Sequence, residues 1–234
     1  MASEIVTRGT SKTYLSIIGG RLKQKVDAAT EGAEERIYED KEGNDQSKFE
    51  LTHKNITGKL VGFDFDKKDF GVTMLEIIII DDQGVFTQIG TPDNSRYASD
   101  FMEKLPNIDL TKDIVFNTYD FEAKNKKTGK VQRKTGVSII QGKDSAGDPL
   151  KINTAYFDFD KMEPLRGLPQ VDKEEADDYD TDDWKMYYLT KKKFLVKETK
   201  KIFNKHLKTL DAKVEEVKAT TKKQVDSEPD DLPF

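Results

Sequence analysis

The sequence predicts a mainly β protein: a five-stranded barrel with one helix between strands, followed by a Lys-rich helix and a disordered acidic tail. Three observations lead there. Between Tyr14 and Phe159, runs rich in β-branched and aromatic residues alternate with turns bearing Gly, Asp and Asn. Helical spacing interrupts that series once. Beyond Phe159 the charge separates into an acidic block and then a basic, helix-periodic one.

The first strand covers residues 14–26 and is broken at Gly19-Gly20, as at a bulge or bend. Residues 59–66 precede the run Leu-Glu-Ile-Ile-Ile-Ile-Asp, 75–81, which reads as a strand buried on both faces. Asp82-Gln83-Gly84 turns the chain into the next strand, up to Thr91. Residues 93–105 read as a helix. Asp93, Asn94 and Ser95 are its cap candidates, and Tyr97, Phe101 and Leu105 recur at i, i+4 and i+8. Two more strands follow at 113–122 and 136–142, joined through Thr128-Gly129. Three strands, a helix and two strands with tight bends match the OB-fold barrel. A plain β-sandwich satisfies the same strands.

The chain divides accordingly: a loose arm at 1–12, the OB-type domain at 13–160, an acidic linker at 161–183, an amphipathic helix at 184–218 and a disordered tail at 219–234. Residues 158–183 hold eleven Asp and Glu against three Lys and Arg, which favours an extended, self-repelling segment. Asp182 and Asp183 suit the positive end of the helix that follows. In that helix Leu189, Val196, Phe203, Leu210 and Val217 recur every seven residues, with Leu207 and Val214 filling a second position in the later half. Lys193 and Lys200 occupy that second position earlier, so the stripe favours a helix lying on the domain over helix–helix pairing.

Composition narrows the function classes. There is no Cys, which removes disulfides and thiolate metal sites and points to a reducing, cytoplasmic compartment. His53 and His206 are the only histidines, too few for a histidine metal site. No run reaches membrane-spanning length, and no signal-peptide core opens the chain. The net charge of −5 averages over blocks of opposite sign. Asp64, Asp66, Asp158 and Asp160 lie in two copies of Phe-Asp-Phe-Asp-Lys. Such carboxylates could hold two metals, but alternation on a half-buried strand explains them as well. No phosphate loop or nucleophile arrangement is present, so neither an enzyme nor a cofactor is expected.

Binding features are stronger. Lys124, Lys126, Lys127, Lys130, Arg133 and Lys134 place six positive charges on one hairpin with no acid between them. In an OB barrel this hairpin joins strands four and five, which clasp oligonucleotides. Tyr119 and Phe121 lead into it on one strand face. Phe86 shares a face with Gln88, away from Val85, Thr87 and Ile89. Arg21, Lys23 and Lys25 alternate outward against Leu22 and Val26. Lysines that follow a backbone, interleaved with rings that accept any base, suit single-stranded nucleic acid. Taken singly, each aromatic reads as core and each lysine as a solvated surface; the constellation carries the signal. No helix-turn-helix, zinc finger or basic zipper supports duplex readout.

The segment Asp230-Asp231-Leu232-Pro233-Phe234 resembles the acidic tip of bacterial single-stranded DNA-binding proteins, although with fewer Asp. The layout of 13–160, with its long first strand and appended helix, looks more like the phage-encoded replication versions. The resemblance implies sequence-independent binding and protection of single-stranded DNA in replication, recombination or repair. It also implies that residues 230–234 recruit replication and recombination proteins and compete with DNA for the basic groove, in a bacterial or phage-infected cell. RNA binding is not separated from DNA binding by the sequence, and the oligomeric state is open, a homo-oligomer included. Rival readings are a protein-binding adaptor module and a metal-dependent nuclease.

Overall fold

A computed structural model describes residues 12–40, 42–68, 71–124, 129–161, 163–171 and 178–225, with side chains through Leu207. The sequence expectations for Lys126, Lys127 and residues 226–234, and for the side chains of Leu210, Val214 and Val217, lie outside the described residues.

The protein is mainly β. In chain order the strands are β1 (Lys12–Ile18), β2 (Arg21–Val26), β3 (Glu34–Glu39), β4 (Asp45–His53), β5 (Ile56–Lys67), β6 (Thr73–Ile80) and β7 (Phe86–Pro92). Helix α1 (Arg96–Lys104) and a 3-10 turn follow, then β8 (Asp113–Lys124), β9 (Val131–Lys143), β10 (Pro149–Lys151), β11 (Phe157–Asp158), β12 (Glu163–Pro164) and α2 (Thr181–Val225). Ten of these strands form one sheet in the order β10-β9-β8-β5-β6-β7-β1-β2-β4-β3. The five strands expected are thus part of a larger sheet, and its ladders run from edge to edge without a closing pair among the described residues.

The first long strand is two strands, because Gly19 and Gly20 both take positive φ and fold β2 back onto β1. Lys12, assigned to a loose arm by sequence, is the first residue of β1. That strand runs parallel to β7, with Lys12 opposite Phe86 and Leu15 opposite Ile89. The hairpin of β3 and β4 is an element the sequence reading did not assign. Asp40 closes its turn by accepting from the backbone amides of Glu42 and Asn44.

Strand β6 shows how the sheet divides inside from outside. Leu75, Ile77 and Ile79 are fully buried, whereas Glu76, Ile78 and Ile80 are only partly covered. The expected burial on both faces is therefore realised on one. The covered face continues through Leu60, Ile89, Leu15 and Leu22 and meets Ala98, Phe101 and Met102 of α1. Ser95 caps α1 by accepting from the Ala98 amide at 3.1 Å, the role its position suggested.

Helix α2 begins at Thr181, with Asp180 outside it. Asp180 accepts from the amides of Asp182 and Asp183, and Asp183 in return accepts from the Asp180 amide. This reciprocal cap fixes the start of the helix. Among its described side chains the buried ones are Leu195, Thr199 and Phe203, spaced by four, with Phe194, Val196 and Ile202 alongside. The expected sevenfold stripe is only partly used, for Leu189 is exposed. Lys191 and Lys192 pin the same stretch to Glu103 and Asp93. The described stretch 163–171 of the acidic linker is also more structured than expected, since the Leu165 amide donates to the Tyr156 carbonyl and Leu168 packs on the core.

Candidate nucleic-acid interface

The partly covered face of the sheet brings most of the candidates together. Because ladder partners share a face, the register can be read across strands as rows. One row runs Lys59, Ile80, Phe86, Lys12. The next runs Gly62, Ile78, Gln88, Tyr14. A third runs Asp64, Glu76, Gly90, Ser16, Lys23, Thr52. Arg21 pairs with Ile18, and Lys25 pairs with Glu50, on this same face. Phe86, Arg21, Lys23 and Lys25 therefore share one surface; alternation indicated the common face of the three cations, and the β1–β7 pairing adds Phe86 to it.

Two residues complete this surface that the sequence reading did not single out. Tyr14 is 59% exposed and stands beside Gln88, with the Lys12 ammonium 5.0 Å from its ring centre. A large exposed ring on a sheet face, partnered by a cation, has the chemistry to stack on another flat ring while the cation meets an anion. The signal in the sequence was the alternation of Lys12 and Tyr14 with Thr13 and Leu15. Between the rings and Lys23 the third row carries the small residues Gly90 and Ser16, with the Met74 methyl near Gly90.

The charges on this face are unequal. At the β1–β2 end lie Lys12, Arg21, Lys23 and Lys25. Lys23 also donates to Thr52 and pairs with Glu34 at 3.3 Å. Glu50 is buried and accepts from Arg36 and Lys48, each at 3.0 Å. Burial alone would raise its carboxyl, but those two cations outweigh it and hold Glu50 below the ordinary glutamate range. At the β5–β6 end, Asp66 and Glu76 share the Lys68 ammonium, which they push well above the ordinary lysine range. Asp158 instead accepts from the amides of Asp160 and Lys161 in a separate turn. Among the described residues no three His, Asp or Glu side chains form a metal-binding group.

The second group of candidates lies on the arm formed by β8 and β9. Tyr119 and Phe121 share the odd face of β8 with ring centres 5.8 Å apart. Phe121 is 50% exposed and pairs with Lys134 across the ladder. Tyr119 is half-buried, with its hydroxyl 3.5 Å from Asp100. Burial first, and then the Asp100 charge, push its phenol above the ordinary range. Tyr119 is thus a support for Phe121 more than an open platform. Arg133 lies against Asp120, Nε to Oδ1 at 2.7 Å and a terminal nitrogen to Oδ2 at 2.6 Å. This fork holds Asp120 below the ordinary aspartate range. Lys124, Lys130 and Lys134 are exposed on the same arm.

The β1–β2 bend touches the arm through Thr118 and Asp120, which alternate with Tyr119 and Phe121 along β8. Thr118 donates its hydroxyl to the Gly20 carbonyl at 2.8 Å, and Asp120 lies directly against Gly20. Arg21, the next residue, is consequently set beside the foot of the arm. Among the described residues no helix is long and apolar enough to cross a membrane. Comparison of the chain with protein-family models, with curated proteins and with solved structures finds no match.

Proposed function

We propose that the protein binds single-stranded DNA without sequence preference, along the face of β7, β1 and β2 and onto the β8–β9 arm. What carries this reading is the register that sets Phe86 and Tyr14 beside Lys12, Lys23 and Lys25 on one open face. Rings would take bases and cations would take phosphates, a combination with no means of reading sequence. The path runs from Phe86 past the small residues Gly90 and Ser16 to Arg21, then to Phe121 and Lys134. The order of elements supports an OB-type reading of the domain centre. There β5, β6 and β7 form an antiparallel meander, α1 follows, and β8 returns to pair with β5 before β9. On this reading β1–β4 and α2 are additions around that centre.

The segment Asp230-Asp231-Leu232-Pro233-Phe234 is proposed, from its sequence, as a contact for replication and recombination proteins. An apolar pocket on such a partner would take the Phe234 ring, and acidic residues would meet basic ones. The test is a titration of labelled oligo(dT), oligo(dA) and duplex across a salt series, with and without Mg²⁺. Salt-sensitive, sequence-tolerant binding of the single strands without cleavage agrees with the proposal. Preference for duplex, Mg²⁺-dependent cleavage or failure to bind oligo(dT) overturns it.

A further inference from the structure

A second surface, at the start of α2, has a different chemistry. Within its first three turns Trp184, Met186, Tyr187, Tyr188 and Leu189 are all at least partly exposed, and none belongs to the main core. Tyr188 is 54% exposed and stacks on Trp184 with ring centres 5.9 Å apart. Tyr179 and Tyr187 meet the edges of the same indole at 5.3 and 6.1 Å. Two of these rings, Tyr179 and Tyr187, line an open pocket of about 570 Å³ together with Asp178, Asp183, Met186 and Pro169. A helix that used these rings only for folding would bury them, as α2 does two turns after Tyr188 with Leu195.

The surrounding charge identifies the occupant. Asp178 and Asp183 line the pocket, Asp180 and Asp182 stand beside them in the chain, and Lys185 is already paired with Asp182 at 2.8 Å. Of the next cations along the helix, Lys191 and Lys192 are tied to Glu103 and Asp93, and Lys193 stands exposed beyond the pocket lining. A nucleic-acid backbone would be repelled here. A cationic side chain would be drawn in twice, by the carboxylates and by the negative faces of the rings.

We infer that the Trp184–Tyr188 face of α2 is a docking surface for a basic segment of a partner protein, with an arginine or lysine seated between the tyrosine rings and Asp178. Guanidinium fits best, since it stacks on a ring while donating to a carboxylate.

Trp184 is the only tryptophan in the chain, so its emission reports on this surface alone. Full-length protein is titrated with a short Arg-Gly repeat peptide blocked at both ends, and with a Glu-Gly peptide of equal length. A saturable change in emission with the basic peptide alone, weakened by salt, is expected. The double variant D178N/Y188S should weaken that binding about tenfold with unchanged thermal unfolding, because both residues lie at the surface. No saturable change, an equal response to the acidic peptide, or unaltered affinity in the variant overturns the inference. A Tyr188-dependent response to oligo(dT) also overturns it, for the surface would then be a nucleic-acid platform.

Discussion

Gly20 lies so close to Asp120 that a Cβ built on it would stand 2.5 Å from the Asp120 backbone nitrogen. Its φ of +74° adds a conformation that side chains rarely adopt. Backbone cannot yield as a flexible side chain can, so Gly20→Ala should cost more than about 2 kcal/mol. Gly19 takes a similar φ, +54°, but a Cβ there would meet nothing within 4 Å. Gly19→Ala should therefore cost only about 1–2 kcal/mol, the penalty of the left-handed backbone. Thermal unfolding of the two variants measures the difference. Each kcal/mol corresponds to a fall in Tm of about 2–4 °C in a chain of this size. Equal falls would mean that β2 does not dock on β8 as described.

The proposed stacking surface can be tested ring by ring without disturbing the fold. Tyr14 and Phe121 are both half or more exposed. Their replacement by Ala should change stability by no more than about 0.5 kcal/mol. Each should weaken oligo(dT) binding by about 1–3 kcal/mol if a base rests on the ring. Tyr119→Phe serves as the contrast. It removes the hydroxyl facing Asp100 but leaves the ring under Phe121, so DNA affinity should hardly change.

Salt dependence gives a count of phosphate contacts. If Lys12, Arg21, Lys25 and Lys134 each neutralise one phosphate, with Lys23 held by Glu34 and Thr52, log affinity should fall against log salt with a slope of about −2.8. Lys25→Ala should make that slope shallower by about 0.7. Lys68→Ala should leave it unaltered, because Lys68 is held by Asp66 and Glu76 at the acidic end of the face. A Lys68-sensitive slope would move the DNA path toward β5 and β6.

Acid sensitivity follows from Asp109. The Thr111 hydroxyl, Lys112 and the Thr111 amide all favour its ionised form, lowering its carboxyl from 3.8 to about 2. A folded value below the unfolded one means stabilisation that is fully present above pH ~4 and lost as pH falls toward 2. Glu50 and Asp120 are lowered too and act in the same direction. Denaturant midpoints measured between pH 5 and pH 2 should fall in the parent chain. In Asp109→Asn the fall below pH 4 should be shallower. The loop around Asp109 stays anchored in that variant, because the buried Gln141 side chain bonds the Asp109 backbone amide and carbonyl.

Local chemistry made several of these elements legible in the sequence. Ser95 could be read as a cap candidate, the Ile-rich run as β6, and Asp82-Gln83-Gly84 as the turn to Phe86, because each depends on neighbours in the chain. The alternation of Arg21, Lys23 and Lys25 gave their shared face for the same reason. The parallel pairing of β1 with β7 is different. It joins residues more than seventy positions apart, and nothing local encodes it, so Tyr14 and Lys12 could not be placed beside Phe86. The β3 strand was obscured by composition: Glu34, Glu35 and Glu39 protect an open sheet edge and read as loop. Its partner β4 could have been found, since Phe49, Leu51 and His53 alternate with Glu50 and Thr52.

Helix α2 was expected to lie on the domain, and its mode of attachment makes a separable prediction. Phe203 is 7% exposed and meets Phe63 edge-on at 4.9 Å, while the Lys200 ammonium stands 5.3 Å over Phe65. Phe203→Ala removes a ring from between helix and sheet and should cost about 3–5 kcal/mol at that contact. The ladders of β5, β6 and β7 do not depend on it, so the loss should appear as local opening. Amide exchange should accelerate along 195–206 and at Phe63 and Phe65, with the β6 amides still protected. Lys200→Ala, which removes one exposed cation–π contact worth about 0.5–1 kcal/mol, should produce a small change confined to the same stretch. Global acceleration in Phe203→Ala, with the sheet exchanging as fast as the helix, would show that α2 is an integral part of the folding unit and not an appended layer.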